Sequence, residues 1–385
     1  IKPYVEKAEK HNQKAAGKKP NVITIMNEAF SDLSVLGDIK TNKDFMPFIR
    51  GLKENSVKGT MYMSSYGGQT ANSEFEFLTG SSMAFLPGGS VAYQYQVKDT
   101  MGSLATTMEG QGYQGNMVLH PYLSNGYNRE KVYPLLGFKD YLSIGDFQNP
   151  EVCRSFITDQ EDFNKITSEY EKAKQKSSAP FFMFNVTIQN HGGYEKDYSN
   201  FNQEIKITDT SSNPSANRYL SLIKKTDDAF KNLISYFKKV KEPTVIVMFG
   251  DHQPKLPQEF YNKVMDKENG SALENEQKKH QVPFIIWANY DIKEEEIKAI
   301  SPNYLSAKLL KVIGGKMTPY ECFLQDLYTK YPVVTGSVYM DKKYNLFNID
   351  NLDDLPEELK QYWMVQYYHL FAKDKRDDSL FFLKE

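Results

Sequence analysis

Four short stretches of the chain each deliver a side chain able to bind a metal ion or move a proton: NEAF carries Glu28, LHPY carries His120, QNHGGY carries His191, and FGDHQP carries Asp251 and His252. Each stretch follows an apolar run that reads as a β-strand. Open α/β sheets bind ligands at the carboxyl ends of their strands, so this is where chemistry is expected. Taken singly, each residue has an ordinary alternative: a solvated turn for Glu28, a backbone-bonded core histidine for His120, a helix cap for Asp251 and His252. Taken together, three of the chain's six histidines fall at such ends, while His11, His280 and His369 lie in polar or helical segments. Glu28, Asp251 and His252 supply two carboxylates and an imidazole, a hard oxygen and nitrogen set suited to Mn2+ or Mg2+, with Zn2+ as a further candidate.

A fifth stretch, YGGQTANSEFEFLTG at 66–80, places Gly67 and Gly68 just before Thr70 and a helical pattern. Paired glycines let a ligand approach the backbone closely, and a helix that begins at once turns unpaired amides and its positive dipole end toward that ligand. An anion suits this arrangement. A threonine hydroxyl is a poor nucleophile alone, but a neighbouring divalent cation makes its alkoxide accessible at neutral pH. The plain alternative is a helix cap behind a surface turn. The segment HPYLSNGYNR adds His120, Tyr127, Asn128 and Arg129, whose guanidinium offers a planar fork for phosphate oxygens. His191, flanked by glycine, is placed to protonate a leaving alkoxide or deprotonate an incoming hydroxyl.

The elements that must position these groups are legible as strands at 21–26, 57–63, 116–120, 180–188, 244–250 and 282–288. Most are nearly continuous apolar runs, as strands covered on both faces should be. Helices are expected over 158–174, opened by a Thr158/Glu161 capping box, and over 214–239, where Tyr219, Leu222, Ile223, Phe230, Leu233, Ile234 and Phe237 share one face. Further helices are expected at 304–313 and 356–371, a long polar loop at 189–213 and an exposed excursion at 265–280. At 385 residues the chain can bury a large core, and 47 basic against 49 acidic residues give no footprint for nucleic acid. Two distant cysteines, Cys153 and Cys322, in no CxxC or paired-ligand spacing, argue against a disulfide framework and a cysteine-ligated zinc. No apolar run approaches the ~18 residues needed to cross a bilayer.

In their order, NEAFSD, GGQTANSEFEFLTG, HPYLSNGYNR, QNHGGY and FGDHQP resemble the extracellular catalytic domain of phosphoglycerol transferases of the lipoteichoic-acid-synthase type, in the alkaline phosphatase/sulfatase superfamily. The resemblance runs from about residue 20 to about residue 340. It implies an α/β fold with a central mixed sheet, helices on both faces and a small C-terminal α+β subdomain. It implies a metal, typically Mn2+, held by Glu28, Thr70, Asp251 and His252, with Thr70 as nucleophile, and His120, Arg129 and His191 on the glycerol phosphate. Tyr127 and Asn128 are expected to join them. The expected division is a linker at 1–19, a catalytic domain at 20–335 and a C-terminal subdomain at 336–385.

The resemblance further implies a phosphatidylglycerol donor, a cell-envelope glycopolymer or glycolipid acceptor, and a membrane anchor preceding the lysine-rich lead-in, with the catalytic domain on the extracellular face of a bacterial membrane. Lipoteichoic-acid synthases proper carry an aspartate and a tryptophan where this chain has Tyr122 and Tyr127, which tilts the expectation toward decoration of a polysaccharide or glycolipid. A sulfatase activity is disfavoured, since neither CRSFI nor CFLQD has the Cys/Ser-x-Pro-x-Arg setting. The alternatives are a phosphoethanolamine transferase or phosphodiesterase of the same fold, and a non-catalytic glycolipid-binding scaffold.

Overall fold

The structure, a computed structural model, describes residues 3–15, 19–265 and 270–384. Eight strands form the main sheet: β1 (Asn21–Asn27), β2 (Ser56–Tyr62), β3 (Gln114–Leu119), β4 (Asp140–Leu142), β5 (Phe181–Val186), β6 (Thr244–Gly250), β7 (Gln281–Ala288) and β8 (Glu295–Ile300). Their spatial order is β8-β2-β7-β6-β1-β5-β3-β4. The pairings are parallel except on the two sides of β7, which runs against the other strands. The three central strands β1, β5 and β6 are buried at every position. Alternate residues feed opposite faces: Val22, Phe182 and Val245 join one apolar cluster, while Ile23, Met183 and Ile246 join the other. Burial on both sides is why these runs lack polar alternation.

The helices that matter below are α1 (Pro3–Asn12), α2 (Thr70–Thr79), α3 (Asp159–Lys176), α4 (Pro214–Phe237), α5 (Ala272–Lys278), α6 (Pro302–Val312), α7 (Pro319–Lys330) and α8 (Glu357–Phe371). Thr158 caps α3 through its hydroxyl, which accepts from the Glu161 amide. The apolar face read for α4 is the buried one. Two expectations need correction. The strand expected to reach residue 188 ends at Val186, because Gln189 and Asn190 turn inward and bond Thr226. His191 therefore stands on a loop. The excursion at 265–280 contains α5, capped by a Ser271/Glu274 box, and its residues 266–269 lie outside the described ones. Strand β8, EEIKAI, was hidden in the sequence because its first half is charged and exposed at an edge of the sheet.

Within the lysine-rich lead-in, α1 packs on α7, with Tyr4 edge-on to Phe323 and Asn12 bonded to Met317 through both backbone groups. Beyond residue 332 a small antiparallel sheet forms from β9 (Val333–Val334), β10 (Val338–Met340) and β11 (Leu346–Asn348). Helix α8 then returns to the body, where Leu359 and Tyr362 join the main apolar cluster and the Tyr362 hydroxyl donates to Gly80 O at 2.6 Å. Among the described residues no helix is long and apolar enough to cross a membrane.

Candidate active site

Strand register alone brings the first candidate ligands together. In the parallel pair of β1 and β6, Asn27 sits opposite Gly250, so Glu28 and Asp251 are the next residues out. Gly250 has to be glycine, since a Cβ there would lie 1.9 Å from the Phe30 carbonyl oxygen. Asp251 Oδ1 accepts from the Ala29 amide at 2.7 Å and the His252 amide at 2.9 Å, which leaves Oδ2 as its free oxygen. His252 Nδ1 lies 2.9 Å from the Gln253 carbonyl oxygen, an acceptor only, so Nδ1 carries the proton and Nε2 presents a lone pair.

That lone pair lies 3.1 Å from Asp251 Oδ2 and 3.7 Å from Glu28 Oε1. Asp251 Oδ2 and His252 Nε2 are both buried without a hydrogen-bond partner. Two acceptors facing each other at this distance repel unless a metal cation or a proton stands between them, and burial makes that unmet demand costly. The ligand atoms of Glu28, Asp251 and His252 all lie within 4.8 Å of one another. Burial and the Asp251 charge push the Glu28 carboxyl well above the usual carboxylate range, as expected where two carboxylates share a dry site. The donor set fits a divalent cation.

Thr70 opens α2, every residue of which is buried. Its Oγ1 donates to Glu28 Oε2 at 3.4 Å. Gln69, in the left-handed region at φ 64°, holds the cap position, and no side chain closes the helix N-terminus. The first amides are thus left for another acceptor. Gly67 is left-handed at φ 67°, and no atom lies within 4 Å of where a Cβ on Gly68 would stand. Ser73 Oγ donates to Asp251 O at 2.6 Å, fastening the helix to the end of β6.

His120 and Arg129 flank this centre laterally, His120 from beyond β5 and Arg129 against α2. Leu119 pairs with Asn185, so His120 falls beside Val186 and its Nδ1 donates to that carbonyl at 2.8 Å. Its Nε2 then accepts, at 3.5 Å, from Arg129 Nη1. Burial and the Arg129 charge hold the imidazole well below the usual histidine value. Arg129 is buried rather than a loop arginine in solvent: its Nε and Nη2 donate to Glu74 Oε1 at 3.0 and 2.5 Å, and Tyr127 covers its face at 5.1 Å. Tyr127 and Asn128 take left-handed backbone, and Asn128 Nδ2 reaches Tyr93 O at 3.4 Å. His191 is exposed at the rim, its pKa lowered by partial desolvation and by His252.

Two functional supports escaped sequence reading. Glu74, within the helical pattern of α2, is the counter-ion of Arg129 and also accepts from the Tyr133 hydroxyl at 2.8 Å. Arg154, noticed only as a neighbour of Cys153, donates to Gly192 O at 3.1 Å, Gln189 O at 2.7 Å and His191 O at 2.6 Å, and so fixes the His191 loop. The one available signal was the pair of acidic residues, Glu74 and Glu76, within the SEFEF run, which had to be partnered if buried.

The sulfatase family profile matches residues 20–315. A putative cyclic beta-1,2-glucan modification protein of Rhizobium meliloti is 32% identical over 373 residues, covering 94% of this chain and 56% of that protein. The lipoteichoic acid synthase of Staphylococcus saprophyticus is 26% identical over 264 residues, covering 67% of this chain and 39% of that protein. The chain thus spans about half the length of the curated relatives it matches. Among solved structures, the Streptococcus pyogenes phosphoglycerol transferase GacH in complex with sn-glycerol-1-phosphate superposes with a TM-score of 0.77 at 24% identity, covering 100% of this chain and 95% of that one. The lipoteichoic acid synthase LtaP of Listeria monocytogenes gives 0.68 at 16% identity, covering 99% and 100%.

Proposed function

The chain belongs to the sulfatase family, and we propose that within it the protein is a metal-dependent phosphoglycerol transferase, moving glycerol phosphate from phosphatidylglycerol through Thr70 to a cell-envelope glycopolymer. The observation that carries this reading is the pair of unpartnered acceptors, Asp251 Oδ2 and His252 Nε2, beside a threonine at the open N-terminus of a buried helix. Kinship supports it: relatives and fold neighbours are named for lipoteichoic acid synthesis, phosphoglycerol transfer and glucan modification.

Glu28, Asp251, His252 and Thr70 Oγ1 would hold the cation, which by hardness is Mn2+ or Mg2+ before Zn2+. When bound it supplies Lewis acidity that lowers the hydroxyl pKa of Thr70 and neutralises phosphate charge. In the first step the Thr70 Oγ to phosphorus bond forms and the bond from phosphorus to the diacylglycerol oxygen breaks. The threonine proton leaves to solvent, and protonated His191 gives its proton to the departing alkoxide. In the second step His191, now neutral, takes the proton of an acceptor hydroxyl, that oxygen bonds phosphorus, and Thr70 departs and is reprotonated from solvent. The lowered pKa of His191 suits it to the base role of the second step and leaves the protonated form that serves the first as the minor one at neutral pH. The second N–H of Arg129 Nη1, whose first reaches His120, and the open amides of α2 would hold the phosphate oxygens in both steps.

We also infer an anchored protein with this domain on the outer face of the membrane, and a functional division at about residues 20 and 335. The test is manganese-dependent release of the head group from a phosphatidylglycerol analogue. Wild type is expected to turn over and Thr70→Ala to lose at least about 10³-fold, since removing a covalent nucleophile removes the pathway. Undiminished turnover in Thr70→Ala defeats the reading.

A further inference from the structure

We propose that the cleft beside Gln69 binds a neutral sugar unit of the acceptor, with the C-terminal sheet as its outer wall. This rests on the transferase reading above and specifies the acceptor that reading leaves open. The cleft measures about 440 Å³ and is bounded by the 64–69 segment, the 86–90 loop, α5 and the turn and strands of the C-terminal sheet. It begins one residue from Thr70. Gln69 and Asn72, on either side of Thr70 along the chain, both line it.

The wall is tied to the nucleophile segment. Gly336 N donates to Ser64 Oγ at 2.9 Å, and Ser64 Oγ donates to Glu76 Oε1 of α2 at 2.7 Å. The C-terminal subdomain is thereby held against the approach to Thr70.

The lining decides the class of ligand. No lysine or arginine lines the cleft among the described residues; its ionisable groups are Glu276, which pairs with Lys279 at 2.9 Å, and His280. His280 donates from Nδ1 to Met63 O at 2.9 Å, and burial lowers its pKa, so it adds no positive charge at neutral pH. Among the described lining residues a chain of glycerol phosphates would find no unpaired cation, in contrast to the Arg129 side of the site. What the cleft does offer is amides and hydroxyls: Gln69, Gln277, Ser337 and Asn348, which both donate and accept as sugar hydroxyls do. Gln277 is 2% exposed and its Oε1 is buried without a partner. Ser337 and Asn348 are exposed at the wall. Leu86 and Pro87 supply an apolar strip for ring C–H groups.

Gln69 adds an independent sign. A glutamine held at φ 64° is uncommon, and such backbone persists where the surroundings impose it, often at functional sites. Here it turns a carboxamide outward between nucleophile and cleft.

Calorimetric titration of the full chain with a neutral β-gluco-hexasaccharide and with an oligo(glycerol phosphate) of similar length tests the proposal, using wild type, Gln277→Leu and the exposed-site variant Asn348→Ala. Wild type should bind the hexasaccharide more tightly than the oligo(glycerol phosphate), and each substitution should weaken that binding about 3- to 10-fold, the worth of one hydrogen bond. No binding of the hexasaccharide, tighter binding of the polyanion, or unchanged affinity in both variants overturns the cleft assignment. Head-group release is measured on the same preparations. Release with unchanged sugar affinities overturns the cleft and leaves the donor chemistry standing. Weakened sugar binding in the variants, without release by wild type, supports the cleft and overturns the donor chemistry.

Discussion

The two ends of the main sheet differ in a way that volume does not reveal. At the amino end of β1 and β6 lies a cavity of about 870 Å³, lined by Pro20, Pro243, Tyr290, Lys308, Lys311 and Tyr328 among others. Two of its charges meet each other, Lys308 donating to Glu295 at 2.6 Å. At the carboxyl end the valences are unmet, with two unpartnered acceptor atoms facing each other at 3.1 Å and a helix N-terminus left open. Unsatisfied buried polar atoms in convergence, rather than space, mark where this molecule can do chemistry.

The Thr70→Ala loss is the largest expected effect and belongs wholly to the carboxyl end. Next, Asp251→Asn should weaken manganese binding by more than the roughly 10–100-fold typical of outer partners of a metal site, read by calorimetry. Unaltered affinity would remove the basis for distinguishing the two ends. Glu74→Gln leaves the buried Arg129 guanidinium without its counter-ion. Loss of a buried ion-pair partner costs about 3–5 kcal/mol, so a large fall in the denaturation midpoint is expected together with weaker donor binding.

A raised carboxyl pKa alone should not mark function, and Glu321 checks this. It caps α7, accepts from Thr107 and Thr318, and is raised by burial to about 7. The folded state therefore binds a proton that the unfolded state has released, so this stability is full below about 4.5, the ordinary value, and is lost as pH rises through about 7. Glu321→Gln cannot ionise. In metal-free buffer, wild-type Tm should fall relative to the variant across that window while manganese affinity at neutral pH stays unchanged. The smallest effect is expected at the other end: Lys311→Ala, in the larger cavity, should leave turnover unchanged and stability within about 0.5 kcal/mol.

Much of this was readable in the sequence because strand ends are local. Glu28, His120, Asp251 and His252 each follow an apolar run by one or two residues, and parallel register carries each to the same edge. The glycine pair before Thr70 was equally plain. Glu74 and Arg154 were not, since a buried charge reveals itself only with its partner, and Arg129 is 55 positions from Glu74 along the chain. His191 was placed at a strand end and stands instead on a loop that Arg154 pins, an arrangement set by three backbone carbonyls with no side-chain signature. The β8 strand was masked because an edge strand needs no apolar alternation on its exposed face.

By itself the sequence determined which groups exist and which strands Glu28, His120, Asp251 and His252 follow, because periodicity and turn residues act over a few positions. Only the tertiary structure decided that Asp251 Oδ2 and His252 Nε2 are the atoms left free. The Ala29 and His252 amides and the Gln253 carbonyl claim the others, and a lone pair's availability depends on every neighbour that folding brings within hydrogen-bond reach.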